Sequence, residues 1–249
     1  MNKLITLFLS AVCSVAVAQT HTTTINVNNN FHGIDISAPF EVEIKKGTPA
    51  VVATVDPDLA SKVKFEYSGS GILEVSMTES MKMNKSRSEL KLSIYTNKLD
   101  LIEAGSASRI NVESVFDSES LDIELSSAAR LTGTFNVKTN VKIECSSAAK
   151  AEIAVNAKNI TAECSSASQL ELKGVCEMLD LETSSASKID AGACNAVQAK
   201  VSASGASKIS VQAQEKFWLE ASGASKISYS GNGKIESVDT SGASTVSRK

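Results

Sequence analysis

The alternation of apolar and polar residues changes character once along the chain, near Leu101. Before that point it comes in short separate runs, Gly33–Ile44, Ala50–Val55, Val63–Tyr67, Ile72–Met77 and Glu89–Tyr95. A period of two places successive side chains on opposite faces, so each run predicts a half-buried β-strand. The stretch DPDLASK at Asp56–Lys62 predicts one helical turn, because Asp56 can cap it and Pro57 suits its first position. Ser68–Gly71 reads as a turn, and TESMKMNKSRS from Thr78 reads as a polar, mobile loop.

From Leu101 onward the period-two runs recur, each followed by a small-residue phrase such as CSSAAKAEI, TSSASKIDA or ASGASKISV. Its central alanines are Ala107, Ala128, Ala148, Ala167, Ala186, Ala206, Ala224 and Ala243, at spacings of 21, 20, 19, 19, 20, 18 and 19. Upstream lie inward-facing sets such as Leu121, Ile123, Leu125 and Leu179, Leu181, Thr183. Downstream, Ile110, Leu131, Ala151, Leu170, Ile189, Ile209, Ile227 and Val246 form a second apolar column. No segment within a period is long enough for a helix with its own apolar stripe, and the spacing of leucine-rich repeats is missing. The pattern predicts an all-β fold, a parallel β-solenoid with coils of about 19 residues, stacked at roughly 4.8 Å. In this reading the phrase is a sharp corner where stacked bulky side chains would collide, and its serine hydroxyls satisfy backbone groups freed at the bend.

The N-terminus changes the setting of this fold. Lys3, the apolar run Leu4–Val17 and Ala16-Val17-Ala18 read as a secretory signal, 1–18, with the mature chain starting near Gln19. A lipoprotein reading with Cys13 acylated is weaker, since Val12 before it is not small. The remainder divides into a β-rich portion, 19–100, and the repeat coils, 101–249, continuous with it. The mature chain shows no second long apolar run and no basic block, so neither a transmembrane segment nor a nucleic-acid partner is expected.

Candidate chemistry is sparse. His21 and His32 are the only histidines, and neither a phosphate-binding glycine loop nor a C-x-x-C pair occurs. Polysaccharide-cleaving enzymes on parallel β-helices need irregular coils, clustered charges and aromatic platforms; here the coils are regular and Trp218 is the one tryptophan. No catalytic, metal or cofactor residue is assigned. Cys145 and Cys164 fall at the same position of successive coils and read as buried free thiols rather than a disulfide, whereas Cys176 and Cys194 on adjacent turns could pair in an oxidising compartment.

Two charged columns flank the phrase. The candidate contact stripes are Glu124, Glu144, Glu163 and Glu182 four residues before the alanine, and Arg130, Lys150, Lys188 and Lys208 two after it. They read as a solvated surface of opposite salt-bridged stripes, as a cation collector, or as contacts for a charged glycan or partner.

The opening FHGIDISAPFEVEIKKG, the strand LEVSM and the recurrent SGASKI resemble the putative auto-transporter adhesin, head GIN domain family, from about Thr24 onward. The resemblance implies a right-handed parallel β-helix-like fold and an exported, cell-envelope location in a Gram-negative bacterium. The expected function is non-enzymatic, adhesin-like binding of a cell-surface glycan or protein. The alternatives are a self-assembling envelope solenoid, joined through its ends into a homo-oligomer, and, further off, a polysaccharide-active enzyme.

Overall fold

The computed structural model describes residues 21–25, 31–78 and 90–249. The signal segment, Cys13 and nearly all of the polar loop from Thr78 lie outside these residues. The described chain is all-β apart from one helical turn, Pro57–Ala60. Pro57 opens that turn as expected, but the Asp56 side chain makes no cap bond; the Asp56 carbonyl instead accepts from the Leu59 and Ala60 amides at 2.9 and 3.1 Å.

Each coil is strand, corner, strand, bend, and every strand pairs in parallel with its counterpart one coil on. Leu121–Leu125 pairs with Asn140–Cys145, which pairs with Asn159–Cys164; after the corner, Arg130–Val137 pairs with Lys150–Asn156. Register is strict because a one-residue slip would turn every core residue outward. Both apolar columns are in place: Leu121, Ile123, Leu125, Val141, Ile143, Cys145, Leu179, Leu181 and Thr183 are buried, as are Ile110 to Ile227 of the second column. Val246 is packed against the core but partly exposed.

The stack reaches back before Leu101. Gly33–Ile36 pairs in parallel with Leu101–Ala104, and Glu41–Lys46 with Arg109–Val112. The run Gly33–Ile44 is therefore two strands, broken at Ser37–Phe40, which occupies the place of a corner phrase. Pro39 cannot donate to a ladder and fits this break. Below this coil the sheets continue through Ile72–Met77 and Leu90–Thr96, and the antiparallel strands Val63–Tyr67, Ala50–Val55 and His21–Ile25 complete that end.

Within the phrase the central alanine is exposed and the residue after it is buried, except at Ser244 of the last phrase, which is partly buried, so the crowded position is one beyond the alanine. Of the serines there, Ser108 Oγ is buried without a hydrogen-bond partner among the described residues, Ser207 Oγ accepts from Thr183 Oγ1 at 2.8 Å, and the others are bonded to the backbone. Ser168, Ser187, Ser225 and Ser244 donate through Oγ to the carbonyls of Cys145, Cys164, Ala203 and Ala221 in the preceding coil, at 2.8 to 3.0 Å. A larger apolar residue would overfill the corner and also remove that donor.

Candidate functional site

The acidic column forms a ladder. Glu124, Glu144, Glu163 and Glu182 pair in register, and the row continues downward through Glu103, Asp35 and Glu74. Burial and then the charges of Asp35, Glu124, Asp122 and Glu74 raise the Glu103 carboxyl above its ordinary range. The four glutamates line a shallow depression of about 200 Å³ with Ser146, Ser165 and Ser184. Among the described residues, no three His, Cys, Asp or Glu side chains are grouped so as to hold a metal ion.

Arg130, Lys150, Lys188 and Lys208 are likewise stacked, with Gln169 between Lys150 and Lys188. Among the described residues no ion pair joins the two stripes. Instead, charges pair along a strand with the residue two positions away: Lys142 with Glu144, Lys150 with Glu152 at 2.5 Å, Lys188 with Asp190 at 3.5 Å. A separation of two on an extended strand places both side chains on one face, which is why the pairs are local.

A larger concavity lies elsewhere, at the bend that ends each coil. It measures about 920 Å³ and runs over five successive bends, 98–100, 117–119, 136–138, 156–158 and 175–177. Leu99 and Val137 are buried in its floor, where Ser118 stands in register with Val137. One wall is a polar ladder in register: Asn156 donates to Asn136 at 3.0 Å, and Asn136 to Asp117 at 3.2 Å. The next rung is Val175, which offers no donor, so the Asn156 amide oxygen stays available. Lys46 holds Asp117 at 2.8 Å; this hydrogen bond, then that from Asn136, keeps the Asp117 carboxyl below its ordinary range.

Of the other charges lining the groove, Asp100, Glu119 and Lys138 are paired in place, whereas Lys98, Lys158 and Glu177 are in no ion pair among the described residues. Glu119 meets Lys138 at 3.1 Å. At the lower end Asp100 is bound to His32 Nδ1 at 2.5 Å, while His32 Nε2 lies 2.8 Å from the Ser70 carbonyl. Both ring nitrogens face acceptors, so the imidazolium is favoured. The bond to Asp100 is the main cause of a raised pKa, opposed by partial burial. His32 thus ties the Ser68–Gly71 turn to the groove's end.

The sequence reading placed the stripes and missed this groove, though a signal was present. Asn136 and Asn156 each stand eight residues after a central alanine, with Asp117 ten after Ala107. An Asn or Asp column on a bend marks a stack of hydrogen-bonding side chains.

The cysteines complete the inventory. Cys145 pairs in register with Cys164; Cys176 Sγ and Cys194 Sγ are 4.0 Å apart, and all four are buried and free. The hydrogen bond to its partner and burial hold the thiol well above its ordinary range at Cys145 and at Cys176.

A parallel β-solenoid with charged ladders and a lateral polar groove is a scaffold that presents long surfaces. Residues 30–233 match the family described as putative auto-transporter adhesin, head GIN domain, and the chain belongs to that family. Its fold is shared with a crystal structure described as a putative adhesin from Parabacteroides merdae, TM-score 0.84, 15% identity, covering 92% of this chain and 95% of that one. A structure described as a putative lipid binding protein from Parabacteroides distasonis is similar at TM-score 0.80 and 18% identity, covering 92% and 96%. A putative adhesin from Bacteroides fragilis follows at TM-score 0.69 and 16% identity, covering 93% and 97%. No curated protein matches the chain. No helix among the described residues is long and apolar enough to cross a membrane.

Proposed function

We propose that this chain is a non-enzymatic protein, exported to the periplasm or cell surface of a Gram-negative bacterium, that binds an extended polar ligand by adhesin-like contact. The ligand is a glycan or a segment of a protein partner. The groove carries this reading: about 920 Å³ over five bends, with Leu99, Ser118 and Val137 in its floor and an amide wall repeated at coil spacing. Its lining charges are mixed in sign, three lysines against four carboxylates, with Asp100, Asp117, Glu119 and Lys138 held in ion pairs, which favours hydrogen bonding over net charge as the means of recognition. The signal-like N-terminus and the family's description support export and adhesion. Catalysis is disfavoured because His32 is engaged on both nitrogens and the described cysteines are buried.

The test is a glycan and extracellular-matrix array probed with the mature protein, followed by titration of the hits. Replacing Asn136 and Asn156 together by Ala removes two hydrogen-bonding groups, each worth roughly 0.5–1.5 kcal/mol, so affinity falls by about ten- to a hundredfold. Changing Glu144 and Glu163 to Gln leaves it unaltered. Absence of any saturable ligand, or insensitivity to the groove variant, rejects the reading.

One observation favours a second reading, self-assembly through a solenoid end. Ile235 and Val238 stack on buried Phe217 and Leu219, yet are 37% and 47% exposed. The strand Lys234–Thr240 pairs on one side only among the described residues. Assembly predicts a sedimentation coefficient that grows with concentration and is reduced by Val246→Pro; binding alone predicts a constant monomer.

A further inference from the structure

The corner phrases are two different turns. In the first four, both central residues have positive φ, as at Ser127 and Ala128 with 49° and 63° or Ser166 and Ala167 with 52° and 65°. The fourth residue donates back to the first, as from Ala129 to Ser126 at 2.9 Å, which is type I′. In the last three, only the first central residue has positive φ, and it is glycine: Gly205 at 69°, Gly223 and Gly242 at 70°. That is the type II′ pattern, which differs by a half-turn of the central peptide.

The hydrogen bonds between coils follow the flip. The amides of Ala107, Ala128 and Ala148 donate to the following coil, at Ser127, Ser147 and Ser166, over 2.8 to 2.9 Å. Those of Ala206, Ala224 and Ala243 donate to the preceding coil, at Ser185, Gly205 and Gly223, over 2.7 Å. Ser185 has the Ser-Ser-Ala wording of the first group but the geometry of the second, with φ 60° and no positive φ at Ala186.

A trans peptide points its C=O and N–H in opposite directions, and none here is cis. The Ser166 carbonyl faces back to Ala148, so the Ala167 N–H faces forward. The Ser185 carbonyl faces forward to Ala206, so the Ala186 N–H faces back. Two donors confront each other on this exposed edge, and neither has an acceptor among the described residues.

We propose that the Ser185–Ala186 peptide is a two-state switch that moves this seam along the rod. Rotated to type I′, Ser185 would accept from Ala167 and release Ala206, so one bond is exchanged for one and the seam shifts by a coil. The number of bonds does not choose between the states; the residue before the alanine does. Serine tolerates type I′ at every earlier corner, whereas type II′ calls for glycine. A Cβ on Gly205 would lie 2.8 Å from the Ser185 oxygen, so the observed state requires glycine at 205.

Amide hydrogen exchange and relaxation dispersion by NMR test this on the folded protein. In the wild type, the Ala167 and Ala186 amides exchange freely while those of Ala128, Ala148 and Ala224 are protected, and dispersion is confined to these two corners and that of Ala206. Ser185→Gly keeps the unprotected pair and abolishes the dispersion. Gly205→Ser turns both corners to type I′, protecting Ala167 and Ala186 and exposing Ala206 and Ala224. Protection of Ala167 and Ala186 in the wild type equal to that of Ala128 overturns the seam. If Gly205→Ser does not fold, dispersion that persists in Ser185→Gly overturns the switch, as does an unchanged pattern in a folded Gly205→Ser.

Discussion

Replacing Gly223 with Ala, against Gly105 with Ala as control, separates a corner that demands glycine from one that merely contains it. At φ 70°, an added Cβ at Gly223 would meet the Gly205 carbonyl oxygen at 2.8 Å. That oxygen cannot retreat, since the Ala224 amide holds it at 2.7 Å. The left-handed conformation alone costs an L-residue about 1–2 kcal/mol, and relieving the contact stretches or breaks a hydrogen bond worth about 1 kcal/mol more. Flipping the peptide offers no escape, because within the C-terminal block it sets the carbonyls of residues 205 and 223 face to face. The expected loss is about 2–4 kcal/mol, or a drop in Tm of roughly 5–15 °C for a chain of this size. At Gly105 a Cβ meets nothing nearer than Ser126 Oγ at 3.4 Å, and φ is outside the left-handed range. Gly105→Ala should therefore be neutral or stabilising by up to about 1 kcal/mol, through a less flexible unfolded chain. Urea and thermal unfolding followed by far-ultraviolet circular dichroism measure both. If the two variants agree within about 0.5 kcal/mol, the corner argument fails.

The acidic ladder should respond in the opposite sense: Glu144→Gln with Glu163→Gln relieves like-charge repulsion and leaves stability equal or up to about 1 kcal/mol higher. Calcium should raise the Tm of neither protein, and a rise seen only with the carboxylates intact would restore cation binding. His32 has a folded pKa raised above 6.5. Its contribution is therefore fully present below pH 6.5 and is lost as pH rises through the folded value. His32→Gln should flatten stability across that window, and an unchanged pH profile would rule the clamp out. All four described thiols should stay free. Cys194 pairs with Gly174, two residues from Cys176, which puts the Cys176 and Cys194 α-carbons about 8 Å apart, beyond disulfide reach; a disulfide-linked peptide in a non-reducing mass-spectrometric map would contradict this.

The coil was legible because register leaves a period in the sequence: the apolar columns and charged stripes all fall where the alignment on the central alanine puts them. The corner at Ser37–Phe40 was not, since Pro39 and Phe40 replace the small residues that mark the others. The Phe40 side chain is fully buried at the first coil, where no stack of identical corners constrains its size. Two corner geometries hide behind one phrase because Ser and Gly both look merely small, although one selects type I′ and the other type II′. The groove was overlooked for a related reason. Its wall repeats at the same period, but Val175 interrupts the column after Asn156, and concavity depends on how successive bends turn, which spacing does not record.

The central claim is that ligand lies along the bends, and the most direct measurement is hydrogen exchange on the mature protein with and without the array-selected ligand at saturation. The account predicts slowed exchange confined to 98–100, 117–119, 136–138, 156–158 and 175–177, with the corner amides unchanged. Protection centred instead on the Glu124 to Glu182 ladder, on the basic stripe or on Lys234–Thr240 would contradict it.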